Sequence, residues 1–552
     1  MELYFRTNEL SQLDTIFDTT VKGSNFVLLY GKRRVGKTTL VREHLKRRKG
    51  AYISISIKAS ALQLNDISDY LKSFSFTSHF IPGFRSWEEF FLYIFHISKD
   101  TPLNLVIDEF QNFNKIAPGF YSELKNLWDQ HARGAMLNLI AVTYSEQFVD
   151  KTFRSPESPL YGITRHEMKI SPFSFSEVLK IAKQHHSTMK FEEIRNLYLI
   201  FGGLPKFYEL IHYLDLWNSS VEDILRELLF KKYAPLASEL NSLLVADFGR
   251  GSTVYLSIMQ SIAAGKNVVS EIAENVSIPV TSTTKYLSEL EHTREVIKRR
   301  VPLGTLDASK SKYGKYYFRN YFDNFWFRFI QPDIISYEMS QYEKMLSHIA
   351  ENLDAYIHER LPLLLKEIFR EFREHPEILS ITGSPDVTID GLWTRKTSFD
   401  LALLNKETAS LKMCRILTAR EMAEENCCEK LMNDLAEVEG KYISYIPELI
   451  LFTEVNPTRK ILEKIPVNIK VFPLDHLEGL MKRKHKNGHS VSHSISVRDS
   501  ISVREQRNLD RTNGKSGNRE QRILVRDQEG LGKAMAGTEG AVRHHIIKVK
   551  VK

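Results

Sequence analysis

The sequence predicts an α/β fold built on a doubly wound, mostly parallel sheet. Short apolar runs of strand length occur at residues 25–30, 51–57, 103–110 and 137–142. Segments with helical spacing of apolar residues separate them, as in TLVREHLKRRK at residues 39–49. Strands that alternate with helices in this way form parallel sheets covered by helices on both faces.

Length and composition indicate a folded protein of several domains. The chain has 552 residues, of which 42% are hydrophobic and 26% charged, and this length exceeds what one hydrophobic core organises. The net charge of +8 comes from the end of the chain: residues 481–552 carry 17 Lys and Arg against 7 Asp and Glu, so residues 1–480 carry −2. Overall basicity therefore does not indicate that the body of the protein binds nucleic acid.

Cysteine usage and the absence of long apolar segments predict a cytoplasmic protein that does not bind a membrane. The three cysteines, Cys414, Cys427 and Cys428, form no CxxC pair, which fits a reducing compartment. The first residues, MELYFRTNEL, lack the basic and apolar regions of a signal peptide. We find no apolar run near the ~18 residues that span a bilayer.

A phosphate-binding motif follows the first predicted strand. Residues 31–38, GKRRVGKT, match G-x-x-x-x-G-K-[ST] at every fixed position, between a strand and a helix. In such a loop, backbone N–H groups surround phosphate oxygens, the lysine reaches the β and γ phosphates, and the hydroxyl binds Mg²⁺. A basic turn before an ordinary helix is the alternative. The predicted ATP-binding residues are Gly31, Lys32, Arg33, Arg34, Val35, Gly36, Lys37, Thr38 and Thr39.

A second motif, which is acidic, ends the apolar run at residues 103–110, LNLVIDEF. Asp108 is placed to bind Mg²⁺ with Thr38, and Glu109 is placed to polarise the attacking water, as catalysis with Lys37 requires. Alone, this pattern is often a strand followed by a solvated turn. Thr143, Tyr144 and Ser145 follow the strand at 137–142, where a polar side chain either senses the γ-phosphate or, for Ser or Thr, caps a helix.

An ordered series of motifs in the first 210 residues resembles the archaeal-type ATPase family, a branch of the AAA-like signal-transducing P-loop ATPases. The motifs are YFRTNEL (4–10), GKRRVGKTTL (31–40), LVIDEFQ (105–111), SPLYG (158–162), KISPFSFSE (169–177) and FGGLPKF (201–207). The resemblance implies that Arg6 lies near the adenine and that Pro205 contacts the base from a helical lid. Turn chemistry alone also accounts for the Gly-Gly-x-Pro pattern.

One position departs from the family pattern. Family members commonly place an arginine directly after Leu-Tyr-Gly, but here Ile163 and Thr164 follow, and the nearest arginine is Arg165. Two residues of extended chain span ~6.6 Å, so a catalytic role of Arg165 or Arg154 at the γ-phosphate stays open beside the alternative of a solvated surface arginine.

Residues 253–301 have the pattern of a winged helix. Three helical segments precede VIKRRVP at 296–302, and the third, from Pro279, begins with Ser and Thr residues where phosphate contacts are common. Such units bind DNA or act as protein-protein modules. The aromatic segment at 316–330 either stacks on bases or packs between domains, and the latter is favoured.

The resemblance also implies a C-terminal restriction-endonuclease-like domain, whose metal site has E-x-D on one strand and E-x-K on the next. Here Asp400 fits the aspartate. Ser398 replaces the first acid, and Met413 begins the triplet that stands for E-x-K. A nuclease metal ion needs at least two carboxylates, so we expect the fold to persist without nuclease activity.

We predict six regions, the last of which is a basic tail without structure. The tail repeats SISVRD as SISVRE at 494–505 and is polar and basic, so it is expected to be disordered, either as a nucleic-acid-binding arm or as an incidental extension. The regions are a P-loop ATPase core at 1–165, a helical lid at 166–245, a winged helix at 246–305, an aromatic-rich helical connector at 306–365, an inactive restriction-endonuclease-like domain at 366–480 and the tail at 481–552.

Three functions are compatible with these patterns. The first is an ATP-driven and Mg²⁺-dependent switch that acts on DNA or on a protein partner, alone or as an oligomer. The second is a nucleotide-dependent nuclease or defence effector, and the third is a scaffold that binds ATP without hydrolysis. The presence of Lys37, Thr38, Asp108 and Glu109 favours hydrolysis.

Overall fold

A computed structural model provides the structure of the chain. It describes residues 6–73, 81, 83–237, 253–394, 396–424, 427–439, 445–454, 456–457, 465–466 and 469–483. These residues all fall in residues 1–497, the first of two units into which the chain divides. The predictions for Tyr4, for the boundary between lid and winged helix at 245 and for the tail beyond residue 483 lie outside the described residues. Among the described helices, none has the length and apolar composition needed to cross a bilayer.

Twelve strands form three sheets within the described part of the chain. The first sheet is parallel throughout and has the order β2-β3-β4-β1-β5. The strands are β1 Asn25–Tyr30, β2 Gly50–Ser54, β3 Leu103–Asp108, β4 Leu137–Thr143, β5 His166–Lys169, β6 Ile297–Arg300, β7 Lys315–Phe318, β8 Thr388–Trp393, β9 Ser398–Asn405, β10 Ser410–Leu417, β11 Ile446–Thr453 and β12 Lys470–Pro473.

The α-helices connect and cover these sheets. They are α1 Thr7–Asp18, α2 Lys37–Arg47, α3 Ser60–Ser73, α4 Trp87–Ile97, α5 Phe113–Ile116, α6 Phe120–His131, α7 Glu146–Val149, α8 Phe175–Gln184, α9 Phe191–Phe201, α10 Pro205–Tyr213, α11 Val221–Leu228, α12 Thr253–Ala263, α13 Val269–Val276, α14 Val280–Ser288, α15 Tyr321–Phe329, α16 Ile334–Glu338, α17 Tyr342–His358, α18 Leu361–Glu371, α19 Pro376–Thr382, α20 Ala419–Ala423, α21 Cys427–Glu439 and α22 His476–Arg483.

The parallel sheet is buried on both faces, as the sequence predicts. In β1, Phe26 and Leu28 belong to a cluster formed with α3, α4 and α6, whereas Val27 and Leu29 belong to a cluster that includes α1 and α2. Successive strand residues point to opposite faces, so a continuous apolar run fits a strand covered on both sides. The α/β expectation for this region is confirmed.

The chain order places β1 between β4 and β5. The connection after β1 therefore leads to β2 at one edge of the sheet, while β5 lies next to β1 at the other edge. Ligands of open α/β sheets bind where the strand order reverses in this way, beyond the carboxyl ends of the strands. The segment after Tyr30, which contains the phosphate-binding motif, lies at this position.

Three helices and a hairpin follow the lid. Helices α12, α13 and α14 contact one another, and β6 pairs antiparallel with β7. The partner strand β7 lies beyond the boundary predicted at residue 305. The loop between the two strands is attached to the C-terminal sheet, because Leu303 N–H donates to Gly391 (2.9 Å) and Trp393 Nε1 donates to the Tyr313 carbonyl (2.8 Å).

The aromatic segment is a packing element. Five aromatic side chains of α15 are buried, among them Trp326 and Phe325, which are fully enclosed. Phe322 contacts Phe201 and Phe207 of the lid, with ring centroids 5.8 and 4.6 Å away. Buried rings cannot stack on nucleic-acid bases, so the packing role favoured from the sequence is confirmed.

The C-terminal sheet is mixed and has the order β12-β11-β10-β9-β8. Strands β8, β9 and β10 are antiparallel neighbours, while β10, β11 and β12 are parallel. One face packs under α21 and Leu303. The other face, including Leu401 and Ile450, joins the same apolar core as α18 and the lid helices. The C-terminal sheet thus shares a continuous core with the rest of this unit.

Candidate nucleotide-binding site

The loop between β1 and α2 has a backbone conformation that its glycines permit. Gly31 has φ +152°, and a Cβ atom there would lie 2.0 Å from the Ile170 carbonyl oxygen. Gly36 has φ +88° and directly precedes α2. Only glycine adopts such angles without strain, so both fixed glycines of the motif are required by this geometry. The N–H groups at the start of α2 form the anion-binding end of the helix.

Lys37 lies over its own loop. Its ammonium donates to the carbonyl oxygens of Gly31 (2.8 Å) and Lys32 (2.7 Å). Burial lowers the pKa of Lys37 to about 8, while Asp108 and Glu109 act in the opposite direction. A buried ammonium whose hydrogen bonds go to neutral carbonyls gains from an anion that approaches the loop.

Thr38 and Asp108 meet at the end of β3. The Thr38 hydroxyl donates to Asp108 Oδ2 (2.8 Å), and the Tyr52 hydroxyl donates to the same oxygen (2.8 Å). Burial and then Asp108 raise the pKa of Tyr52 to about 12, which keeps its proton on the phenol. A hydroxyl beside a carboxylate is the oxygen donor set that Mg²⁺ uses together with phosphates and water, so the predicted metal residues fit the ion.

Glu109 is held at the edge of the sheet by a glutamine. Glu109 has φ +56°, an unusual backbone angle for a non-glycine residue. Gln111 Nε2 donates to the Glu109 carboxylate, and the Thr143 hydroxyl donates to Gln111 Oε1 (2.7 Å). Thr143 is buried and ends β4. This chain of hydrogen bonds connects the ends of β3 and β4.

The remaining loop residues differ in burial and in their contacts. Arg33 stacks over the Tyr144 ring at 4.1 Å, and Arg34 has φ +68°. Val35 is fully buried, whereas Thr39 lies in the first turn of α2. The Lys32 ammonium donates to the Arg319 carbonyl (3.2 Å), 287 residues away.

Arg6 hydrogen-bonds to the phosphate loop, and Pro205 lies beside it. The Arg6 guanidinium donates to the carbonyl oxygens of Val35 (3.3 Å) and Ser171 and lies 4.8 Å from the Phe173 ring centre. Pro205 begins α10, and its Cγ lies 3.9 Å from the point where a Cβ of Gly36 would stand. The structure therefore brings these two residues to the loop, and their contact with a base stays a prediction.

Arg165 is not brought to this site. Its backbone N–H donates to the Phe26 carbonyl (3.0 Å), and its guanidinium donates to Asn25 Oδ1 (3.4 Å). Asn25 begins β1, whereas the loop follows the opposite end of that strand. The catalytic role predicted for Arg165 is therefore not supported by its position. Arg154 is nearer, because its guanidinium donates to the Tyr30 hydroxyl (2.7 Å).

The C-terminal candidate residues do not form a metal site. Asp400 Oδ2 accepts from the Ile416 N–H (2.7 Å), and Met413 lies fully buried in an apolar cluster. The Arg415 guanidinium donates to the Ser398 carbonyl. Within the described residues, no group of three or more His, Cys, Asp or Glu side chains is arranged to hold a metal ion.

Sequence reasoning missed the roles of Tyr52, Gln111 and Lys32. Gln111 lies in the LVIDEFQ motif, three residues after Asp108, so its place in that motif was the available signal. Tyr52 lies on β2, which pairs beside β3, and the register Tyr52 to Val106 places its side chain near the strand ends. The contact of Lys32 depends on tertiary structure that no local pattern reveals.

Comparison with known proteins gives two family matches and one curated relative. Residues 326–450 match a family described as Archaea bacterial proteins of unknown function. An uncharacterized protein of Methanocaldococcus jannaschii is 26% identical over 400 residues, which cover 72% of this chain and 84% of that protein.

Solved structures of similar shape have low sequence identity. A Walker-type ATPase of Pyrococcus abyssi has a TM-score of 0.44 at 19% identity and covers 59% of this chain and 96% of its own. The Aeropyrum pernix ORC1 protein in complex with DNA has a TM-score of 0.34 at 15% identity, covering 63% and 94%. We draw no conclusion from likenesses at these scores. Residues 3–211 match the family described as an ATPase domain predominantly from Archaea, and this match covers the first sheet and the helices that follow it up to α10.

Proposed function

We propose that this chain is a magnesium-dependent ATP hydrolase that works as a nucleotide-driven conformational switch. The observation that carries this proposal is the convergence of Lys37, Thr38, Asp108 and Glu109 at the ends of β1 and β3, with Thr38 and Asp108 in direct contact at 2.8 Å. A scaffold that binds ATP without hydrolysis does not need Glu109 beside the metal residues.

Each residue has a distinct task in this proposal. Lys37 leaves the loop carbonyls and binds phosphate oxygens, while Thr38 and Asp108 hold Mg²⁺. A magnesium ion held there would supply positive charge beside the phosphates. Glu109, positioned by Gln111, orients and polarises the attacking water. We further propose that Arg6 and Pro205 form part of the base pocket, since Arg6 hydrogen-bonds to the phosphate loop and Pro205 lies beside Gly36.

Contacts between the ATPase domain and the C-terminal half support a switch. Lys32 of the phosphate loop donates to the Arg319 carbonyl, just before α15. On the lid side, the Tyr198 hydroxyl donates to Glu367 Oε2 (2.9 Å) of α18, and the Tyr321 hydroxyl donates to Glu367 Oε1 (3.0 Å). A change in the loop or lid on ATP binding therefore acts directly on α15 and α18.

Steady-state ATP hydrolysis by the full chain tests this proposal. Wild type is expected to hydrolyse ATP with Mg²⁺. Lys37→Ala is expected to lose turnover, and Glu109→Gln is expected to retain ATP binding while kcat falls by a factor of about 10² to 10⁴. Wild type that binds ATP but shows no turnover, with or without nucleic acid, would establish the scaffold function instead.

A nuclease or defence-effector function is disfavoured by the C-terminal sheet. Met413 leaves Asp400 without the second carboxylate that a catalytic metal ion needs on β10. We therefore propose that the restriction-endonuclease-like region at 366–480 is inactive. Cleavage of DNA in the presence of Mg²⁺ or Mn²⁺ that disappears in Asp400→Ala would overturn this proposal.

We propose that the winged helix predicted at residues 246–305 meets a DNA partner through α14. The β6–β7 loop is attached to the C-terminal sheet, whereas Thr281, Thr284 and Lys285 on α14 are exposed. Stimulation of ATP hydrolysis by DNA but not by RNA, measured beside a reaction without nucleic acid, is the expected result for this partner. Equal rates in all three reactions favour a protein partner.

A further inference from the structure

The Asp108 carboxylate, at the end of β3, accepts hydrogen bonds from three parts of the chain. The Thr38 hydroxyl of α2 and the Tyr52 hydroxyl of β2 both donate to Oδ2, each at 2.8 Å. The Glu109 N–H donates to Oδ1 (2.8 Å). A carboxylate has about four acceptor positions, two on each oxygen, so among the described residues these donors fill Oδ2 and leave one position on Oδ1. Thr38 and Glu109 belong to the two motifs of the site, whereas Tyr52 lies in neither motif.

Strand pairing brings the Tyr52 hydroxyl to this carboxylate. Tyr52 is paired with Val106, and Ser54, two residues further along β2, is paired with Asp108. Two residues of a strand span ~6.6 Å, and side chains two positions apart lie on the same face of the sheet. A tyrosine side chain crosses this distance, whereas the hydroxyls of serine and threonine lie too close to their own backbone. The length of Tyr52 therefore suits a donor that reaches along the sheet to Asp108.

The Tyr52 ring is held in place by its neighbours. The Arg42 guanidinium of α2 lies 4.9 Å from the ring centre, a separation at which a cation is attracted to an aromatic face. The Tyr52 N–H donates to the Tyr70 hydroxyl of α3 (3.5 Å), and the Tyr52 side chain packs against the apolar cluster that includes α1 and α2. A side chain fixed in this way holds its hydroxyl in one position, which is what the orientation of a neighbouring metal-binding carboxylate requires.

We propose that Tyr52 is a positioning residue for magnesium: its hydroxyl fixes the orientation in which the Asp108 carboxylate holds Mg²⁺ together with ATP. This inference rests on the proposed ATPase function and adds to it a residue from outside both motifs. Without the hydroxyl, one acceptor position on Oδ2 is empty and the carboxylate turns more freely about its Cβ–Cγ bond. Hydrogen-bond partners of metal-binding side chains contribute about 10- to 100-fold to metal affinity. Because Tyr52 lies outside the phosphate loop, we expect ATP binding without Mg²⁺ to be independent of its hydroxyl.

ATP binding to the full chain, measured by calorimetry in saturating Mg²⁺ and in excess EDTA, tests this proposal. A Glu109→Gln background prevents turnover during the measurement. Tyr52→Phe is expected to weaken binding in Mg²⁺ by about tenfold or more and to leave the affinity in EDTA unchanged. Tyr93→Phe on α4 is the matched control, since the Tyr93 hydroxyl has no hydrogen-bond partner within the residues that the structure describes. We expect this control to bind ATP as the background protein does in both conditions, and thermal melts without nucleotide verify that both variants fold.

The results separate this inference from the proposed function. An equal loss of affinity in Mg²⁺ and in EDTA would assign Tyr52 to the structure of the site as a whole and would overturn the positioning role. Unchanged affinity of Tyr52→Phe in Mg²⁺ would also overturn it, while the proposed function would stand. Background protein with Tyr52 intact that gains no affinity from Mg²⁺ would overturn the proposed function and this inference together.

Discussion

Lys37 donates to two carbonyl oxygens of its own loop, and its burial there makes its protonation state depend on pH near neutrality. Its pKa is lowered to about 8, so about half of the side chains are neutral near pH 8. Phosphate oxygens favour the charged ammonium and raise this pKa on binding. ATP affinity is therefore expected to fall as the pH rises through about 8.

Proton uptake on ATP binding checks this expectation. At pH 8, we expect Lys37 to take up about half a proton, and at pH 6.5, where it is already charged, almost none. Calorimetry in two buffers of different ionisation enthalpy measures this number directly. Equal binding heats in both buffers at pH 8 would contradict the lowered pKa, and the pH 6.5 titration is the internal control.

Gln111 is a positioning residue for Glu109, because it donates to the Glu109 carboxylate and accepts from Thr143. Gln111→Ala is expected to lower kcat about tenfold, since it removes one hydrogen bond to a charged group in the reaction geometry. KM for ATP is expected to stay unchanged, because among the described residues the Gln111 side chain hydrogen-bonds to Glu109 and Thr143 and not to the phosphate loop. Gln147→Ala, at an exposed glutamine of α7, is the matched control. A rise in KM at constant kcat would assign Gln111 to binding instead.

At the scale of elements, the loop between β6 and β7 packs against the C-terminal sheet. Leu303 is 6% exposed and belongs to the apolar cluster under α21, whereas Leu306 on the same loop is fully exposed. Leu303→Ala is expected to lower the free energy of unfolding by about 2–4 kcal/mol, and Leu306→Ala is expected to change it by less than about 0.5 kcal/mol. Chemical denaturation of the two variants measures this difference. Equal stabilities would show that the loop does not contribute to the core.

The central strands of the first sheet were predictable from the sequence, because each is an apolar run covered on both faces. The runs at 25–30 and 137–142 correspond to β1 and β4 with bounds that differ by at most one residue. Strand β5 was not predictable, since it has four residues, HEMK, and buries only Met168. The position of Arg165 follows from the register of β5 against β1, which explains why its predicted role did not agree with the structure.

The phosphate loop and its two acidic partners were also predictable, because the motif spacing follows from the chemistry of phosphate and magnesium. Contacts between distant parts of the chain were not. Lys32 meets Arg319 across 287 residues, and Tyr52 meets Asp108 through the pairing of β2 with β3. These contacts depend on how distant elements pack together. The spacing of residues within one segment does not predict this packing.

On the scale of the whole molecule, the ATPase domain, the three-helix unit and the C-terminal sheet are connected through one apolar core. Leu197 of α9, Trp326 of α15, Leu365 of α18 and Ile450 of β11 all belong to it. Polar contacts follow the same route, because Ser176 donates to Glu371 and the Tyr198 hydroxyl donates to Glu367. Packed interiors transmit displacement, so a nucleotide-dependent movement of the lid is expected to reach α18.

Hydrogen exchange at residues 361–371 tests the nucleotide-driven switch most directly. Glu109→Gln protein, in which ATP is held without turnover, is compared with and without saturating ATP and Mg²⁺, and Lys37→Ala is the control that does not respond to ATP. We predict that ATP slows amide exchange in α18 by about twofold or more, because ordering of the loop and lid stabilises their contacts with Glu367 and Glu371. Unchanged exchange in α18, in protein shown by calorimetry to have bound ATP, would contradict the account.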